Sequence, residues 1–142
     1  MTVQASGSET RGRRPLRSLG ALLLGFVVVV ALSVGADQVM HGAGVFPPVG
    51  EPMESAALFL LALAYRCLFT VAGGYVTARL APRAPVSHAV ILGVIGTAIA
   101  LAGAVATIGR PDMGPAWYPI ALVITALPCT WLGGVLHAGK RP

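Results

Sequence analysis

Four long apolar runs constrain this chain more than any other feature. They cover residues 19–36, 55–78, 86–108 and 116–136. Each approaches or exceeds the ~20 residues that a helix needs to cross a ~30 Å hydrocarbon core. Hydrocarbon cannot hydrogen-bond to backbone amides, so only helices or closed barrels cross it, and continuous runs of this length mean helices. The sequence therefore predicts an all-α membrane protein with four transmembrane helices. Composition closes the soluble alternative. The chain is 56% hydrophobic and 11% charged over 142 residues, against roughly 25% charged in soluble domains. A soluble fold of this size could not cover so much apolar surface.

The connectors set the direction of insertion. Arg11, Arg13, Arg14 and Arg17 precede the first run, Arg79 and Arg83 separate the second from the third, and Lys140 and Arg141 follow the fourth. With four crossings all of these fall on one side. The other side holds Arg110 with Asp37, Glu51, Glu54 and Asp112. Basic residues concentrate on the cytoplasmic side of membrane proteins, so both termini are expected in the cytoplasm. The net charge of +5 is then accounted for by orientation, with no nucleic-acid partner. Trp117 and Tyr118 on one side and Tyr75 on the other suit the headgroup level.

The domain reading follows. Residues 1–15 form a basic, disordered tail, residues 16–138 the transmembrane domain, and residues 139–142 a second short tail. The first run with its arginines and the small residues Ser33 to Ala36 also has the outline of a cleaved signal peptide. An uncleaved signal anchor is the favoured reading, because the run is long for a leader. The connector at 37–54 carries Pro47, Pro48 and Pro52 with Gly42, Gly44 and Gly50, which favour irregular backbone. Pro52 and Glu54 suit the approach to a helix N-terminus.

Arg66 stands inside the second run. A guanidinium keeps its charge at any physiological pH, and placing one at the centre of a membrane helix costs roughly 2.5–3.5 kcal/mol on insertion scales. It lies 12 residues beyond Glu54, about 18 Å along a helix axis. No carboxylate is expected at that depth, and Asp37, at the outer end of the first helix, is the nearest candidate partner. Two readings stand side by side. Arg66 is an anion, substrate or assembly contact, or it snorkels and is satisfied by carbonyls, Thr70 and water.

Residues four apart share a helix face. Arg66, Thr70, Thr125 and Cys129 form a possible intramembrane polar site. Gly73, Gly74, Gly93, Gly96, Ala100 and Gly133 are expected to pack helices together, as small residues do in membranes. The first helix, with its bulky 26–30 stretch, is expected to face lipid. Pro128 predicts a kink in the fourth helix and frees the carbonyl of Ile124, a further candidate partner for Arg66. Cys67 and Cys129 read as small packing residues. His88 and His137 fall near one face at helix ends, a spacing that could serve haem or metal, though interfacial histidines need no such role. There is no Ser/His/Asp set, zinc motif or cluster of intramembrane carboxylates, so no catalytic residue, cofactor or metal is expected.

The stretch from Ala72 to Gly93 joins Ala-Gly-Gly-Tyr-Val-Thr-Ala, a basic turn and a His-Ala helix start. It resembles a turn, within one hairpin, found in uncharacterised small four-helix inner-membrane proteins of bacteria. That resemblance implies a multi-pass protein of the bacterial inner membrane and no established activity. Gly73-Gly74 and Gly133-Gly134 are also spaced as in a duplicated hairpin. The functional expectation is a non-enzymatic component or accessory subunit of a membrane complex, a homo-oligomer or bound to a larger membrane protein. The alternative is a small oligomeric transporter or channel subunit, with Arg66 contacting an anionic substrate.

Overall fold

The computed structural model describes residues 6–140, with side chains from Arg14 onward. The side chains of Arg11 and Arg13, and residues 1–5, 141 and 142 of the two tails, lie outside the described residues. Four helices follow one another: α1 (Ser6–Gly42), α2 (Ala56–Leu80), α3 (Pro85–Thr107) and α4 (Trp117–Ala138), with a 3-10 turn at Pro111–Met113 before α4. All four are long and apolar enough to cross a membrane.

Boundaries follow local chemistry. α2 begins after Ser55, whose carbonyl accepts from the amides of Leu58 and Phe59 at 3.1 and 3.3 Å. It stops at Ala81, which is extended because the following Pro82 disfavours the helical region for the residue before it. Pro85 opens α3, where its missing amide costs nothing. Ala84 before it is left-handed, with φ 44°, a strained conformation for a residue with a Cβ.

α1 differs from expectation at both ends. It runs from Ser6, inside the stretch read as a disordered tail, to Gly42, six residues past the apolar run. A helix nucleated by an apolar segment extends at the gain of one hydrogen bond per residue, so polar flanks join it. The consequence is that Asp37 and His41 belong to α1, not to the connector.

α2 is the central element and packs against all three others, while α3 and α4 pack closely together. Glycines set the crossings. A Cβ on Gly74 would lie 2.7 Å from Thr130 Cα, and one on Gly133 would lie 2.6 Å from the amide nitrogen of Tyr75. The two Gly-Gly pairs therefore meet each other where α2 crosses α4, a packing reason for the spacing that also suggested duplication. Gly93 approaches Leu127 and Thr130, and Gly134 approaches Ala89. Gly96 departs from the expected packing role: a Cβ there would meet nothing within 4 Å. Gly96 and Ala100 instead border a cavity.

α1 is also more engaged than its bulky sequence suggests. Ala21, Gly25 and Ser33 turn inward, Gly25 fitting against Gly73 and Thr77 of α2. Thr77 is fully buried and donates to the Ala21 carbonyl at 3.3 Å. The spacing of four and eight residues is a small-residue stripe, hidden in sequence by the valines around it.

Candidate functional site

Arg66 and Asp37 form an ion pair between α2 and α1, with Nη2 donating to Asp37 Oδ2 at 2.5 Å. The neighbouring Tyr65 donates its hydroxyl to the other carboxylate oxygen, Oδ1. Two consecutive residues point about 100° apart on a helix, yet one carboxylate spans that angle and receives both. The length of α1 makes this possible. Had the helix ended with the apolar run at residue 36, Asp37 would have left the bundle with the connector. Arg66 and Asp37 keep 32% and 26% of their side-chain surface exposed, which turns toward the cavities beside them. Holding Asp37 between a guanidinium and a phenol uses charge-assisted hydrogen bonds, the stronger kind.

The recorded partner of the guanidinium is thus a carboxylate on α1 and not the Ile124 carbonyl, and α4 is helical on both sides of Pro128. Thr70 and Thr125 return their hydroxyl protons to their own helices, at 2.7 Å to the Arg66 carbonyl and 2.8 Å to the Ala121 carbonyl. Cys67 on α2 and Cys129 on α4 are neighbours, and both thiols are free. The four expected polar-site residues thus divide: Arg66, Thr70 and Thr125 border one cavity, and Cys129 is not on its wall, where Cys67 stands instead.

Two cavities meet at Arg66. One, of about 280 Å³, lies at the acidic end of the bundle beside Asp37, His41, Glu51, Tyr65, Asp112 and Tyr118. Phe59, which is buried, and Tyr118 line it, their ring centroids 5.1 Å apart, and Trp117 stands 6.2 Å from Phe59 outside the lining. Gly114, at φ 85°, passes over the Phe59 ring where a side chain would collide. His41 closes the wall, its Nδ1 donating to the Pro47 carbonyl at 2.7 Å and its ring meeting Phe46 edge-on. The second cavity, of about 260 Å³, lies among all four helices and is walled mainly by apolar side chains, among them Phe26, Leu92, Ile99 and Leu122. Arg66 borders both cavities. Its Nε is buried and has no hydrogen-bond partner among the described residues, a state that costs roughly 1–3 kcal/mol for an ordinary polar group and more for a charged one.

The histidines at the basic end do not converge. His88 Nδ1–H donates to the Ala84 carbonyl at 3.2 Å and Nε2 accepts from Ser18 at 3.0 Å, a tautomer set by the carbonyl. His137 meets Tyr75 edge-on at 5.3 Å, and Lys140 stands 5.5 Å above the same tyrosine. Among the described residues no three His, Cys, Asp or Glu side chains are grouped to hold a metal ion.

Tyr65 and Tyr118 were not singled out by sequence reasoning as site residues. Tyr65 had a readable signal in its place beside an intramembrane arginine. Tyr118 had none, because its position at a helix start is equally that of an interfacial aromatic. Comparison with family models, with curated proteins and with solved structures finds no match for this chain.

Proposed function

We propose that this chain is a non-enzymatic component of a larger assembly in the bacterial inner membrane, with both termini cytoplasmic. The observation that carries the reading is an uncovered small-residue face on α3. Ala98, Ala102 and Ala106 recur every four residues, are exposed and have exposed Gly103 beside them. The opposite side of the same helix uses Ala89, Gly93 and Ala104, all buried, against the rest of the bundle. Within lipid, small faces are the ones that bring helices together, because backbones approach closely and gain dispersion contacts. Asp37 already neutralises Arg66 within the chain, so the search for a partner turns from Arg66 to α3. Orientation rests on the basic side chains Arg17, Arg79, Arg83 and Lys140, which the antiparallel order of helices gathers at one end.

The experiment is native mass spectrometry of the protein released gently from its own membranes, beside an Ala102→Trp variant. The expected result is a reproducible complex or homo-oligomer that the variant loses while keeping its helical content. A wild-type protein that flies only as a monomer overturns the reading.

A second reading, a small oligomeric transporter or channel subunit, is supported by the position of Arg66 between two cavities. An anion arriving from the acidic end would compete with Asp37 for the guanidinium. Anion flux in liposomes that Arg66→Gln abolishes is the expected outcome for that reading, and flux absent from wild-type vesicles removes it.

A further inference from the structure

We infer that the cavity among the four helices binds a membrane-soluble molecule that carries a hydrogen-bond-accepting oxygen on an apolar chain, the oxygen being taken by Arg66. This inference is independent of the assembly proposed above. Four observations lead to it. The cavity, of about 260 Å³, is walled mainly by apolar side chains from α1, α2, α3 and α4 together. Arg66 is the sole charged side chain on its wall. The charge of that guanidinium is balanced by Asp37 through Nη2, while about a third of the arginine side chain stays exposed and the guanidinium carries further N–H donors. The arginine has donors to offer and its counter-charge in place, which favours a neutral carbonyl over a free anion.

The other polar residues on the wall, Ser33, Cys67, Thr70, Thr125 and Thr130, are all neutral. The hydroxyl protons of Thr70, Thr125 and Thr130 are donated within their own helices, at 2.7, 2.8 and 3.0 Å. Arg66 is the one charged donor on that wall, and charge-assisted hydrogen bonds are stronger than those a neutral hydroxyl or thiol such as Ser33 or Cys67 can give. The wall from Leu92 to Ala100, about 12 Å along α3, receives the chain. Gly96 keeps that wall back: a Cβ there meets nothing within 4 Å, so the space is built into the packing rather than filled by a neighbour. Molecules of this chemistry in a bilayer are lipids, through an acyl ester carbonyl, and quinones, through a ring carbonyl.

The test is photolabelling of the full chain in detergent with a diazirine-bearing methyl ester of a fatty acid, followed by mass mapping. Labelling is expected in peptides around Phe26, Ile99 and Leu122. Methyl laurate is expected to displace the probe at least ten-fold better than dodecane, which has the chain without the oxygen. Gly96→Phe, which fills the cavity from a side with room for it, is expected to lower labelling at least ten-fold with the unfolding temperature retained. Stronger displacement by a short-chain phosphatidylglycerol assigns the site to a lipid. Stronger displacement by a fully substituted benzoquinone with a decyl chain assigns it to a quinone. Equal displacement by dodecane, or labelling spread over outward residues such as Leu101 and Val105, overturns the inference, and both readouts use the wild-type chain.

Discussion

At the scale of single residues, the Asp37–Arg66–Tyr65 cluster ties α1 to α2 in the half of the bundle nearer its acidic end. Removing one partner of a buried ion pair costs roughly 3–5 kcal/mol. The pair here is about a quarter to a third exposed, so Asp37→Asn is expected to destabilise by less, about 2 kcal/mol after allowance for screening. Arg66→Leu alone leaves a carboxylate without its cation. The double variant, Asp37→Asn with Arg66→Leu, is expected to be more stable than Asp37→Asn alone, because no buried charge is left unpaired. Thermal unfolding of the three proteins in lipid nanodiscs measures the cycle, and additive losses would show that the pair is not coupled. Tyr65→Phe removes one hydrogen bond to a charged acceptor and is expected to cost about 1.5 kcal/mol in the same assay. Cys67 and Cys129, neighbours on α2 and α4, are expected to become a disulfide under a membrane-permeant oxidant. Protection of both thiols from maleimide, reversed by reductant, checks this.

At the scale of elements, glycine identity decides which helices touch. Gly74→Ala drives a methyl group into the Thr130 backbone of α4, and backbone cannot move aside as a flexible side chain does. Overpacking of this kind costs typically 1–3 kcal/mol, occasionally more, and the upper part of that range is expected here. Gly96→Ala, by contrast, meets open space and is expected to be neutral or slightly stabilising, since alanine is the better helix former by roughly 1 kcal/mol. Comparing the unfolding midpoints of the two variants separates a packing glycine from a cavity glycine. The turn between α2 and α3 offers an opposite case. Ala84 is held left-handed at φ 44°, a conformation that costs a residue with a Cβ roughly 1–2 kcal/mol. Ala84→Gly relieves that strain against the greater entropy lost by glycine, and a gain of up to about 1 kcal/mol is expected, read as a raised unfolding midpoint.

At the scale of the whole molecule, the chain is a bundle in which α2 is the shared neighbour and most of the outer surface remains apolar and uncovered. Sequence alone determined the number of helices, their approximate spans and the separation of basic from acidic ends. These are local properties: hydropathy over ~20 residues, proline at Ala81-Pro82 and Pro85, and charge in the connectors each act through neighbours in the chain. Gly73, Gly74, Gly93 and Gly133 were legible as packing residues for the same reason, since a helix repeats its faces every three to four residues. Tertiary structure decided the rest. Asp37 reaches Arg66 because α1 continues past its apolar run and is docked on α2 through Gly25 and Thr77, a contact between elements distant in the chain. Gly96 looks like Gly93 in sequence, yet one meets α4 and the other borders a cavity, because which face of α3 is covered depends on the crossing geometry of helices distant in the chain. The apolar cavity with an arginine on its wall is likewise a property of four surfaces at once. No single helix encodes it, since a void exists only where the side chains of all its neighbours fall short of one another.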